Sequence, residues 1–132
     1  MNWSKALSAG AAGGLILAVW SFLMHGVLLG NTYAAMPTLF RQDTNPMWFP
    51  IVAIWIGIAG GLLFARSRPS WGPGVKGGMT FGFFLGLVSF AAAFYNSLIY
   101  IGFPYYLTWC WGTINLAGWM VFGAVVGNLY KG

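Results

Sequence analysis

Between Lys76 and Lys131 the chain carries no Asp, Glu, Lys, Arg or His, so Gly77 to Tyr130 is one uncharged run of about 54 residues. A helix rises about 1.5 Å per residue and the hydrocarbon core of a bilayer is about 30 Å thick, so the run is too long for one crossing. Two crossings of roughly 25 residues fit it, with a turn at Gly102-Phe103-Pro104. The pattern predicts helices over 75–101 and 105–130.

The first half repeats this hairpin with more polar punctuation. One apolar run follows Lys5 and reaches Leu29, which predicts a helix over 5–29. The run is longer than the apolar part of a secretory signal, and no small-residue cleavage site follows it, so it reads as a retained helix. Asn31 to Pro46 form the longest polar connection, in which Tyr33, Met36, Leu39 and Phe40 have the spacing of a short interfacial helix. Asn45-Pro46 is a helix-start signal and opens a helix over 47–65. Pro69, Gly72, Pro73 and Gly74 mark the loop before the third helix. The fold class is therefore an all-α, four-helix transmembrane bundle of two helical hairpins, in a single membrane domain spanning 1–132. A shift of 64 residues lays Gly13-Gly14 on Gly77-Gly78 and Trp55 on Trp119, which suggests a parallel internal repeat.

Small residues recur at helical spacing. Gly10 and Gly14, Gly57 and Gly61, and Gly123 and Gly127 form GxxxG pairs, and Gly78, Gly82 and Gly86 form a longer row. Such rows let helix backbones approach closely and are expected to be packing surfaces.

Composition agrees with the pattern. Hydrophobic residues make up 59% of the chain and charged residues 5%, against roughly 25% charged in a soluble domain. The net charge of +5 comes from singly scattered basic residues, so it is not a nucleic-acid footprint. Lys5, Arg66, Arg68, Lys76 and Lys131 fall on one side of the predicted bundle and only Arg41 on the other. The positive-inside rule then places both termini and the 66–75 loop in the cytoplasm, with the 31–46 connection and the 102–104 turn facing outward. A single cysteine, Cys110, excludes an internal disulfide and reads as a packing residue near the membrane interface.

The inventory for chemistry is short. His25 is the only histidine and Asp43 the only carboxylate side chain, so a carboxylate pair and a protein-only zinc site are both excluded. No Walker, HExxH or dinucleotide-binding motif is present, and the chain reads as not an enzyme. His25 lies near the end of the first helix. It is either a haem or chlorophyll-type pigment ligand, or a neutral histidine hydrogen-bonded to Tyr95, Asn96 or Thr108. Asn96 and Asn115 are amides inside predicted helices. With Thr108 they either line a polar path or fix helix registry.

The stretches Gly13-Gly14 to His25-Gly26, Met47-Trp48 to Ala65-Arg66, and Gly72-Pro73-Gly74 give the chain a layout that resembles small uncharacterised four-helix bacterial inner-membrane proteins. That resemblance implies a four-helix fold and a location in a bacterial inner membrane, and carries no activity or site. The functional expectation is a non-catalytic accessory subunit that packs into a larger membrane complex through glycine-rich and aromatic faces. The alternatives are a homo-oligomeric small-solute transporter or channel, and a pigment- or haem-binding subunit of an electron-transfer or light-harvesting complex. The expected partners are the lipid bilayer and other membrane subunits or copies of the chain, with no nucleic acid.

Overall fold

In the computed structural model, which describes residues 1–132, the first helix opens at Asn2, whose side-chain oxygen accepts the Lys5 amide at 3.1 Å. Helix α1 runs Trp3–Ser21 and continues without a break into a π-helical segment, Phe22–Leu28. A short α2, Gly30–Ala34, starts the long connection. Helix α3 covers Trp48–Ser67 and ends in a 3-10 turn, Arg68–Ser70. Helix α4 spans Gly74–Ala92 and α5 Tyr95–Ile99, and α6 covers Tyr105–Leu129. The two tight turns use glycines with positive φ, Gly74 at 63° and Gly102 at 78°, a region closed to most side chains. Four segments are long and apolar enough to cross a membrane: Trp3–Leu28, Trp48–Ser70, Gly74–Ile99 and Tyr105–Leu129. The chain is thus a multi-pass, all-helical membrane bundle.

The connection differs from the expected interfacial helix. Only Gly30–Ala34 is helical, and Met36 to Phe40 form turns that fold back over the bundle. Phe40 then packs on Tyr33, Phe103 and Trp111, with ring centroids 4.8, 6.2 and 6.0 Å apart. Aromatic burial against protein outcompetes a lie along the interface. Arg41 and Asp43 remain exposed beyond it, 3.6 Å apart.

Two close helix pairs build the bundle. In the first, α1 and α3 meet glycine to glycine: a Cβ on Gly10 would fall 2.7 Å from the Gly57 carbonyl oxygen, and one on Gly14 2.6 Å from the Ile54 Cα. In the second, α4 meets α6, with Gly78 against Gly123 and Gly127 and Gly82 against the Trp119 carbonyl. The pairs are joined where α1 lies on α6. Gly13 admits the Phe122 ring and Val126, and Trp20 donates its indole N–H to the Ile114 carbonyl at 3.0 Å.

The end of the bundle that carries Lys5, Arg66, Arg68, Lys76 and Lys131, here the basic end, is filled by rings. Phe64 and Phe81 bring α3 and α4 together at 5.2 Å between centroids, and Tyr130 stands edge-on to Phe64 at 6.2 Å. Tyr130 also accepts the Asn2 backbone N–H at 3.1 Å. The opposite, loop end carries the connection and the turn at Gly102.

The packing shows an internal correspondence, at offsets other than 64. Gly61 sits on the Ala6 carbonyl and on Gly10; Gly127 sits on the Gly74 carbonyl and on Gly78. Gly57 sits on the Gly10 carbonyl and on Gly14; Gly123 sits on the Gly78 carbonyl and on Gly82. Ala6, Gly10 and Gly14 thus map on Gly74, Gly78 and Gly82, an offset of 68, while Gly57 and Gly61 map on Gly123 and Gly127, an offset of 66. The two-residue difference falls in the connections, so no single shift can align both helices of a hairpin. Even the irregularities match: His25, inside the π segment of the first span, maps on Ala93, where the third span breaks between α4 and α5.

Candidate functional site

Departures from this correspondence create the site. On α1, Trp20 closes the bundle by reaching the Ile114 carbonyl and packing against Gly118 of α6. Its counterpart on α4 is Val88, which is 67% exposed, and the counterpart of Gly118 on α3 is Val52, also exposed. The α1–α6 side is therefore zipped, while the α3–α4 side stays open over its loop-end half.

The floor of this opening is one face of α6. Thr108, Asn115 and Phe122 are spaced by seven residues, close to two helical turns, and so share a face. Phe122 identifies that face as interior, because its ring is wholly buried against Gly13 of α1 and Gly60 of α3. Asn115 nevertheless is exposed and makes no side-chain hydrogen bond, although it lies near the middle of α6. An interior-facing residue can be exposed only where the bundle is open at its level. The walls follow from the same spacing: Phe49 and Ile56 lie on the Gly60 face of α3, Val88 and Ala92 on the Phe81 face of α4, and all four are exposed. Trp119 closes the base. Its ring lies 3.1 Å from where a Gly60 Cβ would stand, and its indole N–H donates to Ser89 Oγ of α4 at 2.9 Å. These exposed positions outline a cleft between α3 and α4, apolar on its walls and carrying the one amide of Asn115.

A polar cluster near the loop end joins three elements. The Trp111 indole N–H donates to the Tyr33 hydroxyl at 2.7 Å, and the same hydroxyl is hydrogen-bonded to His25 Nδ1 at 2.5 Å. His25 is thus a hydrogen-bonded histidine whose partner is Tyr33. The expected partners Tyr95, Asn96 and Thr108 do not reach it. Thr108 is buried and paired with Ser97 of α5, and the Asn96 amide returns to the Ala93 carbonyl at 2.9 Å. Asn96, Thr108 and Asn115 thus have three separate environments. Cys110 is free and half-buried beside Trp111.

Tyr33, Trp20 and Trp119 carry polar links between elements that the sequence analysis did not single out. In so aromatic a chain nothing marks which rings have a hydrogen-bond partner. Tyr33→Phe is expected to strand the Trp111 N–H and His25 Nδ1 and to cost about 1–3 kcal/mol, read as a lower unfolding temperature in detergent. Burial raises the Tyr33 hydroxyl above its ordinary value of 10.0, although the Trp111 N–H pulls the other way. A raised folded-state value gives stability that is complete below about pH 10 and lost as pH rises through the folded value. The variant should lack this alkaline loss.

Comparison with protein-family models, with curated proteins and with solved structures returns no match to this chain.

Proposed function

We propose that the protein is a non-catalytic accessory subunit of a larger assembly in a bacterial inner membrane, where the cleft between α3 and α4 receives one transmembrane helix of a partner subunit. In this reading both termini and the basic end are cytoplasmic, following the excess of Lys and Arg at that end.

The observation that carries the reading is Asn115. A free amide at mid-span depth is costly in hydrocarbon and is normally satisfied across a helix–helix interface. Acyl chains offer no acceptor or donor for it. A helix presenting a hydroxyl, an amide or a small residue that bares a carbonyl does. The glycine rows do not compete for this role, because Gly10, Gly14, Gly57, Gly61, Gly78, Gly82, Gly86, Gly123 and Gly127 are all buried within the chain. Trp119 and Phe122 close the cleft toward the basic end, which favours docking over a path for a solute.

Gentle extraction from the native membrane followed by native mass measurement tests this. The wild-type chain is expected to migrate with another polypeptide. Asn115→Leu should reduce that retention about three- to fifteenfold, the worth of one interhelical hydrogen bond, without lowering the stability of the isolated chain. Val88→Trp, which rebuilds on α4 the ring that closes α1 on α6, should fill the opening and also release the partner. Migration of the wild-type chain alone, or as copies of itself, would sink the proposal.

A further inference from the structure

The side of α4 turned away from the cleft carries a second feature. Val75, Lys76, Met79, Thr80 and Phe83 of α4 and Met120 of α6 line a shallow groove of about 530 Å³ on the outer surface of the bundle. This volume falls in the range of small-ligand sites, roughly 300–1,000 Å³. Its long walls are apolar, and two methionines and a phenylalanine give them adaptable surface. The only charge is Lys76, near the start of α4 at the basic end. Its side chain is exposed and makes no ion pair. No acidic side chain can neutralise it, because Asp43, the single carboxylate residue, lies in the loop-end connection beside Arg41.

The internal correspondence supplies a contrast. At the offset of 68, Val75, Lys76, Met79, Thr80 and Phe83 map on Leu7, Ser8, Ala11, Ala12 and Leu15 of α1. There the basic residue is replaced by Ser8, whose hydroxyl is spent on the Ser4 carbonyl at 3.0 Å. Two alanines replace Met79 and Thr80. The nearby Lys5 is engaged with the Gly132 carbonyl at 3.3 Å. The charge and the middle wall residues of the groove thus occur together in one hairpin, whereas the other has Ser8 and two alanines in their places.

We infer that this groove is a binding site for one anionic phospholipid, with Lys76 holding the headgroup phosphate and Met79, Phe83 and Met120 cradling an acyl chain. In a bilayer the ammonium, near the start of α4, would meet the headgroup layer, with the apolar lining of the groove extending from it along the span. Charge complementarity selects an anionic lipid over a zwitterionic one, since a lysine near a membrane surface contributes appreciably to attraction for anionic lipids.

The purified full chain, reconstituted in bilayers of mixed phosphatidylglycerol and phosphatidylcholine, tests the site by native mass measurement of the lipids it retains. One phosphatidylglycerol is expected to be retained in preference. Lys76→Gln should reduce that preference about fivefold, whereas Lys131→Gln, a basic residue at the same end outside the groove, should not. Met79→Ala with Phe83→Ala should weaken retention of both lipids. Placing Ser8→Lys in the Lys76→Gln chain should not restore the preference, because the α1 surface lacks the cradle. No preference in the wild-type chain, equal losses for Lys76→Gln and Lys131→Gln, or full rescue by Ser8→Lys would each overturn the site. The measurement uses the chain alone, so it stands or falls independently of any partner subunit.

Discussion

Gly78→Leu is expected to separate α4 from α6 and to destabilise the bundle by about 3 kcal/mol or more, at or beyond the upper end of ordinary overpacking. Gly78 faces the Gly123 carbonyl, and a Cβ there would also stand 2.8 Å from the Gly127 Cα. These are backbone atoms of a helix, which cannot swing aside as a side-chain tip can. Relief requires the helices to part, and parting also loosens Gly82 on Trp119 and Gly86 on Leu116 along the same seam. In a bilayer no hydrophobic force drives helices together, so lost close packing is lost stability. Gly30→Ala is the matched control, because a Cβ there meets nothing within 4 Å. Unfolding in detergent, followed by near-ultraviolet circular dichroism, should show a large loss for the first variant and little change for the second.

Phe122→Ala comes next, at about 3 kcal/mol or more. Its ring on α6 reaches both hairpins: it lies 2.6 Å from where a Gly13 Cβ of α1 would stand and 2.9 Å from where a Gly60 Cβ of α3 would stand, and it packs on the Trp119 ring at 5.1 Å between centroids. Removing it leaves a cavity that glycine neighbours cannot fill, because they have no side chain to move. The same change at Phe83, which is 38% exposed on the outer face of α4, should cost far less. If both variants unfold alike, the junction of the two hairpins does not rest on this ring.

The hairpins were legible because their cause is long-range and additive. An uncharged stretch from Gly77 to Tyr130 can only cross the membrane twice, and the observed spans Gly74–Ile99 and Tyr105–Leu129 lie close to the predicted 75–101 and 105–130. The glycine rows were legible as small residues at helical spacing, but their partners were not. The internal correspondence was glimpsed at a shift of 64, outside the observed offsets of 66 and 68, because glycine pairs and tryptophans recur by chance in so apolar a chain and no single shift aligns both helices of a hairpin. The cleft was not legible at all. It depends on Trp20 being matched by Val88 and Gly118 by Val52, and those pairings exist only once the offsets of 68 and 66 are known. Asn115 did stand out as a costly amide, but the sequence could not separate it from Asn96, which satisfies itself on the Ala93 carbonyl. His25 stood out for the same reason, and its partner Tyr33 did not, because the polar connection that carries Tyr33 returns over the bundle instead of lying along the interface.

The most direct test of the docking reading is a photo-reactive amino acid placed at position 115 and activated in the intact native membrane, with the adduct identified by mass. The account predicts one predominant adduct to a different polypeptide, cross-linked through residues of a transmembrane helix, and its loss when Val88→Trp is added. Adducts to lipid alone, or to a second copy of this chain, would contradict it.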